Sequence, residues 1–251
     1  MNLLKPWLAA FALTALAPAH AMAAQAQIAV AANFAEPIKS IAAVLEKTTG
    51  HTLHITLGAT GKLYAQIKNG APFDVLLAAN TDVPQALEKD GLATAGSSFT
   101  YARGKLVLWS ANALLVDARG EVLKGAGFRK LSYANPKTAP YGAAAVQTID
   151  TLGLTSALAP KLVQGESIGQ AFNFVYTGNA ELGFVALSQV LAGGKLKSGS
   201  MWPVPQSLYQ PIEHHAVLLK RGANNPAALA LVRLLQSPAA KDLIRSYGYD
   251  I

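Results

Sequence analysis

Four short polar segments stand where the sequence predicts helices to begin, and their residue types suit the binding of an anion. They are Asn33, Thr60-Gly61, Tyr141-Gly142 and Ser167-Ile168. The first turn of a helix leaves backbone N–H groups without carbonyl partners, and the helix dipole adds partial positive charge there. If the four segments face one cleft, they form an anion site that needs no Arg or Lys. Each segment alone is a routine cap, so this prediction depends on their convergence.

Motifs for nucleotide and metal binding are incomplete. The segment from Gly58 to Leu63 is glycine-rich, but two residues separate its glycines where a phosphate loop needs four, and Leu63 stands where Mg²⁺ needs Ser or Thr. Lys62 in this segment is expected to be solvated rather than to touch an anion. The adjacent His214 and His215 would point to opposite faces of a strand and could not easily share one ion. The chain has no Cys, which excludes disulfides, thiolate metal sites and thiol nucleophiles.

The charge of the chain is positive but dispersed. Lys and Arg number 21 against 14 Asp and Glu, giving a net charge of +7, and no run of five basic residues occurs. Because nucleic-acid-binding proteins usually concentrate positive charge in a patch, we expect no nucleic acid partner. A dispersed positive charge instead favours small anionic solutes in general.

Residues 1–23 have the pattern of a secretory signal peptide. Lys5 precedes an apolar run from Trp7 to Ala17, which is too short to span a membrane. Small residues at Ala21 and Ala23 predict cleavage after Ala23. We therefore expect the mature protein to be exported.

The mature chain alternates predicted strands and helices. Strands are predicted at 28–31, 51–57 and 73–79, with helices at 36–47, 62–69 and 83–88. Further strands are predicted at 105–110, 130–134, 181–186 and 212–220, with helices at 143–152, at 168–177 and after Asn225 and Ser237. This order predicts an α/β fold with mostly parallel sheets covered by helices on both faces.

Four segments, in this order and spacing, resemble the ModA-type periplasmic molybdate-binding proteins, which are solute receptors of an ABC importer. They are VAANF at 30–34, LGATGKLYAQI at 57–67, NGAPFDVLLAA at 69–79 and SPAAKDLIRSYG at 237–248. The resemblance covers essentially the whole mature chain. It implies a type II periplasmic-binding-protein fold, in which two α/β lobes with mixed sheets are joined by two crossing strands around a ligand cleft. Projected onto this chain, lobe one is 24–105 plus 215–251, lobe two is 106–214, and the crossings are the strands at 105–110 and 212–220.

The resemblance also implies which residues contact an oxyanion. They are Ala32, Asn33, Thr60, Tyr141 and Ile168, with Ala32 and Ile168 contributing only backbone groups. Many members of the family have a Tyr where this chain has Ala186. We therefore expect the Tyr141 hydroxyl to replace that missing donor.

The projected site offers hydrogen-bond donors and no carboxylate, which suits a fully deprotonated tetrahedral dianion. A protonated phosphate would leave its own O–H unpaired there. We therefore expect a monomeric periplasmic receptor that captures molybdate or tungstate and delivers it to the membrane subunit of an ABC importer. It would have no enzymatic activity and no cofactor, and the oxyanion would be held without direct ligands to the metal atom.

Three alternatives remain at this point. One is a receptor for sulfate or thiosulfate, which share the charge and shape of molybdate. Another is a secreted hydrolase of anionic esters. The third is a receptor of the same fold that signals ligand-induced closure to a membrane sensor.

Overall fold

The computed structural model describes residues 23–251. The strands are β1 Gln25–Ala31, β2 Thr52–Gly58, β3 Val75–Leu77, β4 Phe99–Gly104, β5 Leu106–Ser110, β6 Leu131–Ala134, β7 Leu162–Gly165, β8 Leu182–Ala186, β9 Leu191–Ala192, β10 Lys195–Leu196, β11 Ser200–Pro203 and β12 Ile212–Leu218. The helices are α1 Ala35–Thr49, α2 Thr60–Lys68, α3 Asp82–Lys89, α4 Pro140–Thr151, α5 Thr155–Leu158, α6 Ile168–Tyr176, α7 Leu187–Val190, α8 Pro226–Gln236 and α9 Pro238–Ser246. A single 3-10 turn, Ala32–Phe34, connects β1 to α1.

The first lobe is built on a mixed five-stranded sheet in the order β2-β1-β3-β12-β4. β1 runs parallel to β2 and β3, whereas β12 runs antiparallel to β3 and β4. The residues of β1 from Ile28 to Val30 are fully buried because α1 and α8 cover one face of the sheet and α2 lies near the other. Since parallel strands end at the same edge, the loops after β1, β2 and β3 meet at one side of this lobe.

The second lobe repeats this arrangement with a sheet in the order β11-β5-β8-β6-β7. β6 runs parallel to β7 and β8, and β5 runs antiparallel to β8. α4 and α6 pack against this sheet, and each begins a few residues after a parallel strand, β6 and β7 respectively. The fold is therefore α/β with mixed sheets in two lobes, as the resemblance implies, whereas the alternation of elements alone predicts mostly parallel sheets.

The chain passes between the two sheets at Lys105, between β4 and β5, and again between β11 and β12. The second passage differs from the expectation. β12 pairs with β4 from Ile212 onward, so Ile212, Glu213 and His214 belong to the sheet of the first lobe rather than to the second. The apolar run at 212–220 indicates a strand but carries no information about its partner, because pairing is decided between distant segments.

The predicted elements are found with small shifts at their ends, and three predicted caps are confirmed. Ser167 accepts a hydrogen bond from the Gln170 N–H, and Asn225 and Ser237 cap α8 and α9 in the same way. The strands β4, β7, β9, β10 and β11 and the short helices α5 and α7 have no counterpart among the predicted elements. The expected signal peptide lies outside the described residues except for Ala23. No helix within residues 23–251 is long and apolar enough to cross a membrane.

Candidate anion-binding site

The four polar segments converge on one small cavity between the lobes. The space open to the centre of a water-sized sphere is about 10 Å³, so the lobes close tightly around it. Its lining residues are Ala31, Ala32, Asn33, Gly58, Ala59, Thr60, Ala79, Ala139, Pro140, Tyr141 and Ile168. All five residues expected to contact an oxyanion are among them. The cavity lies where the starts of α2, α4, α6 and the 3-10 turn before α1 meet.

Thr60 contributes two donors from the first lobe. It is the first residue of α2 and is almost fully buried. Its Oγ1 accepts a hydrogen bond from the Ala79 N–H at 3.1 Å, which leaves the hydroxyl proton available to a ligand. Its own N–H has no partner among the described residues. The glycine-rich segment thus supplies a hydroxyl and a backbone donor together.

Backbone donors complete the cavity from both lobes. The N–H groups of Asn33, Tyr141 and Ile168 make no hydrogen bond within residues 23–251. Each lies in the first turn of a helix or of the 3-10 turn, where no earlier carbonyl is in position to accept it. Buried donors without partners are costly, so a ligand that accepts from them stabilises the closed arrangement.

The Asn33 side chain has a different role from the expected one. Asn33 was expected to cap the first helix and to offer its amide to the ligand, but it makes no cap. Its Nδ2 instead lies 2.7 Å from His214 Nε2 and donates to Tyr249 Oη at 2.9 Å. Since His214 Nδ1 faces the Ile212 carbonyl at 3.1 Å, Nδ1 carries the proton and Nε2 accepts from Asn33. The amide protons are therefore used within the protein, and the remaining donor of Asn33 is its backbone N–H.

His214 is suited to this role because it stays neutral. Burial lowers the pKa of His214 to about 3, so the ring accepts from Asn33 throughout the physiological pH range. His215, next to it, faces Ser98 and Thr100 instead. The two rings thus point apart, as the sequence predicts.

The Tyr141 hydroxyl packs away from the residues that line the cavity, which does not favour the expectation that it donates to the ligand. It packs against Gly104 so closely that a Cβ atom there would overlap it, and His214 is next to it. Neither Gly104 nor His214 lines the cavity. The hydroxyl is buried without a hydrogen-bond partner among the described residues, and burial raises the pKa of Tyr141 well above its usual range. The Tyr141 side chain therefore packs within the protein, and the unpartnered backbone N–H is the donor that this lining residue has left for a ligand.

Ala186 offers no replacement donor. It is fully buried at the end of β8, and its N–H donates to Gln189 Oε1 at 2.9 Å. Ala32 lines the cavity with its methyl group and main chain, and its Cβ lies close to Gly169 of the opposite lobe. The site therefore depends on main-chain donors and one hydroxyl.

Two contacts join the lobes beside the cavity. The Gly61 N–H donates to the Thr138 carbonyl at 2.9 Å, and a Cβ atom at Gly61 would lie only 3.1 Å from Thr138 Cα. Glycine at this position thus permits the close approach. Lys62 forms an ion pair with Glu166 across the cleft, in agreement with the expectation that Lys62 does not touch the ligand. The structure is therefore a closed form.

The segment Gly165-Glu166-Ser167-Ile168-Gly169 matches the Gly-x-Ser-x-Gly pattern of hydrolase nucleophile elbows, and it follows a strand and begins a helix. Its geometry does not fit that role. Ser167 has an extended backbone, φ −146° and ψ 167°, rather than a strained turn, and its hydroxyl accepts from the Gln170 N–H. No His within residues 23–251 hydrogen-bonds to Ser167. The serine is a helix cap.

Metal-ion sites are not formed in the described part of the chain. No group of three or more His, Cys, Asp or Glu side chains there is arranged to hold a metal ion.

Comparison with known proteins shows what the chain is similar to. Residues 26–250 match the model of the family described as bacterial extracellular solute-binding protein. The chain is 59% identical to the molybdate-binding protein ModA of Azotobacter vinelandii over 92% of each chain. It is 51% identical to ModA of Rhodobacter capsulatus, covering 91% of this chain and 89% of the relative. The solved structure of an Azotobacter vinelandii periplasmic molybdate-binding protein superposes with a TM-score of 0.87 at 40% identity, over 90% of this chain and 99% of that one.

Proposed function

The chain belongs to the ModA family of bacterial extracellular solute-binding proteins, and from this premise we propose that its cavity captures molybdate or tungstate for delivery to an ABC importer. Proteins of this family are transport receptors and not enzymes. Molybdate is their transported ligand rather than a cofactor.

One observation carries the proposal for this chain. Main-chain N–H groups from both lobes and the Thr60 hydroxyl line one small cavity, and none of these protons has an acceptor in the described chain. A hydrogen bond to a charged partner contributes roughly 1.5–3 kcal/mol. Several such bonds, less the costs of ordering and closure, support an affinity well below micromolar.

The charge of the cavity lining favours an ion that carries no proton. No Asp or Glu lines it, so a protonated oxyanion would find no carboxylate to accept its O–H. The helix starts of α2, α4 and α6 add partial positive charge directed at the same point. These features support a tetrahedral dianion held through its oxygens.

The location and the partner follow from the same proposal. The A. vinelandii protein of known structure is described as periplasmic, and we propose the same compartment here. The partner is the membrane subunit of the importer, and the receptor acts as a monomer because each chain contains a complete cavity. The two lobes, with residues 212–214 placed in the first, and the five contact residues Ala32, Asn33, Thr60, Tyr141 and Ile168 are part of the proposal, with Asn33 and Tyr141 acting through their backbone N–H groups.

Molybdate is expected to raise the melting temperature and to compact the protein. A ligand that binds only the folded state stabilises it by RT ln(1 + [L]/Kd), which is about 4 kcal/mol at a thousandfold excess over Kd. Because donors come from both lobes, the ion also shifts the population toward the closed form. Thermal unfolding and small-angle scattering of dialysed mature protein measure the two effects. A melting temperature unchanged by saturating molybdate and tungstate would overturn the proposed function.

Substitutions at Lys62 and Glu166 are expected to change the affinity for molybdate weakly and in opposite directions. Lys62→Gln leaves a carboxylate at the mouth of the cleft and weakens binding, whereas Glu166→Gln frees a positive charge and strengthens it. The two side chains are 49% and 58% exposed, so solvent screening limits each effect to about fivefold. Both effects should shrink at high salt, and the double variant should resemble wild type. Calorimetry checks this, and a loss of affinity far beyond this range in Lys62→Gln would make Lys62 a direct ligand contact.

A further inference from the structure

The backbone carbonyl of Asn33 is hydrogen-bonded to the second lobe, whereas its backbone N–H is the group proposed to face the ligand. Its carbonyl accepts a hydrogen bond from Ser188 Oγ at 2.8 Å, and Ser188 lies in α7 of the second lobe. Tyr249 Oη lies 2.9 Å from the same carbonyl and 2.9 Å from Ser188 Oγ. One residue of the proposed site therefore faces the ligand with its N–H and holds the other lobe with its C=O.

Tyr249 completes this cluster from the C-terminal segment of the first lobe. Its hydroxyl accepts from Asn33 Nδ2 and shares its own proton between the Asn33 carbonyl and Ser188 Oγ. Burial raises the pKa of Tyr249 to about 12, so the proton stays in place at physiological pH. The ring packs edge-on against Phe34 and His214, which fixes the position of the hydroxyl.

The cluster is also close to the point where the chain crosses between lobes. The N–H of Leu187, next to Ser188, donates to the carbonyl of Lys105 at 2.9 Å. Asn33, Ser188 and Tyr249 are all buried. A change in the angle between the lobes that breaks their mutual hydrogen bonds therefore costs free energy, because water does not simply replace them.

We propose that Ser188 and Tyr249 are positioning residues that hold the Asn33 N–H toward the anion. Through them, binding of the anion is coupled to the closed arrangement of the lobes. This inference rests on the proposed function. An ion that accepts a hydrogen bond from the Asn33 N–H stabilises the orientation of Asn33 in which the Asn33 carbonyl reaches Ser188. The bonds from Ser188 and Tyr249 in turn slow reopening, so the two residues act mainly on the rate of ligand release.

The test compares Ser188→Ala and Tyr249→Phe with Ser132→Ala. Ser132 is a matched control because it is a fully buried serine whose Oγ donates to the Ala171 carbonyl at 2.8 Å within the second lobe alone. Stopped-flow tryptophan fluorescence with molybdate gives the association and dissociation rates, and thermal unfolding without ligand gives the stability of each variant.

Ser188→Ala is expected to release molybdate about three- to tenfold faster with little change in the association rate, since the bond that Ser188 donates to Asn33 and the bond that it accepts from Tyr249 are both lost between the lobes. Tyr249→Phe keeps the ring and should accelerate release at least as much. The double variant should fall short of the product of the two effects because both residues bond to Asn33 and to each other. Ser132→Ala should leave the dissociation rate at the wild-type value.

The outcomes separate the two proposals. If wild-type protein binds neither molybdate nor tungstate, the proposed function and this inference both fail. If wild type binds and Ser188→Ala releases the ion no faster than Ser132→Ala does, the coupling is wrong while the proposed function stands. A lower melting temperature without ligand, together with an unchanged dissociation rate, would give Ser188 a purely structural role.

Discussion

Molybdate and tungstate are each expected to bind at least ~100-fold more tightly than sulfate, a difference of about 2.7 kcal/mol. The donors belong to four separate helix starts in two lobes, so a closed cavity holds them at a fixed spacing. Sulfate has the same charge and shape but is smaller, so donors spaced for molybdate would make longer and weaker hydrogen bonds to it unless the lobes closed further. The Gly61–Thr138 contact already brings the lobes together and resists that movement. Phosphate is expected to bind barely, because its proton finds no carboxylate in the lining.

Calorimetry with the four ions on dialysed protein measures this discrimination, and competition against molybdate extends it to weak ligands. A sulfate affinity equal to that of molybdate would make the chain a general dianion receptor. Tight phosphate binding at a pH where the ion carries a proton would show that an acceptor in the cavity has been overlooked.

Thr60→Val is expected to weaken molybdate binding by about ten- to a hundredfold, whereas Tyr141→Phe should bind like wild type. Valine has the shape of threonine but lacks the hydroxyl proton, and a charge-assisted bond is worth roughly 1.5–3 kcal/mol. The Tyr141 hydroxyl packs against Gly104 and His214 outside the cavity lining and has no partner among the described residues.

Thr60→Ser is the control for the first substitution, since it keeps the hydroxyl that accepts from the Ala79 N–H and donates to the ion. Its affinity should stay near the wild-type value. A large loss of affinity in Tyr141→Phe would show that the hydroxyl turns into the cavity when the ion is bound, as the sequence alone suggests. An unchanged affinity in Thr60→Val would remove Thr60 Oγ1 from the site.

The sequence pattern predicts most of the longer strands and helices and the type of site. Periodicity and caps indicate most strands and helices, and Ser167, Asn225 and Ser237 cap the helices as expected. These features are local, since a capping hydroxyl bonds to an N–H two or three residues away. β4, β7 and β11 are among the strands that the sequence does not predict, because they are short or, as in FTYARG of β4, lack a clear alternation, and because they are held by pairing with distant strands.

Side-chain roles at the cleft depended on contacts that span the chain. Asn33 looks like a helix cap with a free amide, yet its partners His214 and Tyr249 are 181 and 216 residues away. The Gly-x-Ser-x-Gly match at 165–169 runs against the prediction of no enzymatic activity, and only the extended backbone of Ser167 identifies the serine as a helix cap. No local sequence pattern predicts the partners of the Asn33 side chain or the backbone conformation of Ser167.

The sequence by itself determined the α/β fold, the helix starts with unpaired N–H groups and the absence of thiol chemistry, because each follows from residues close together in the chain. Only the tertiary structure decided that the four helix starts meet in one cavity, that Lys62 pairs with Glu166 and that the Tyr141 hydroxyl packs against Gly104. Convergence and side-chain direction are set by how two sheets close on each other. That packing depends on the register of strands such as β12 with β4, which hydrophobic periodicity does not specify.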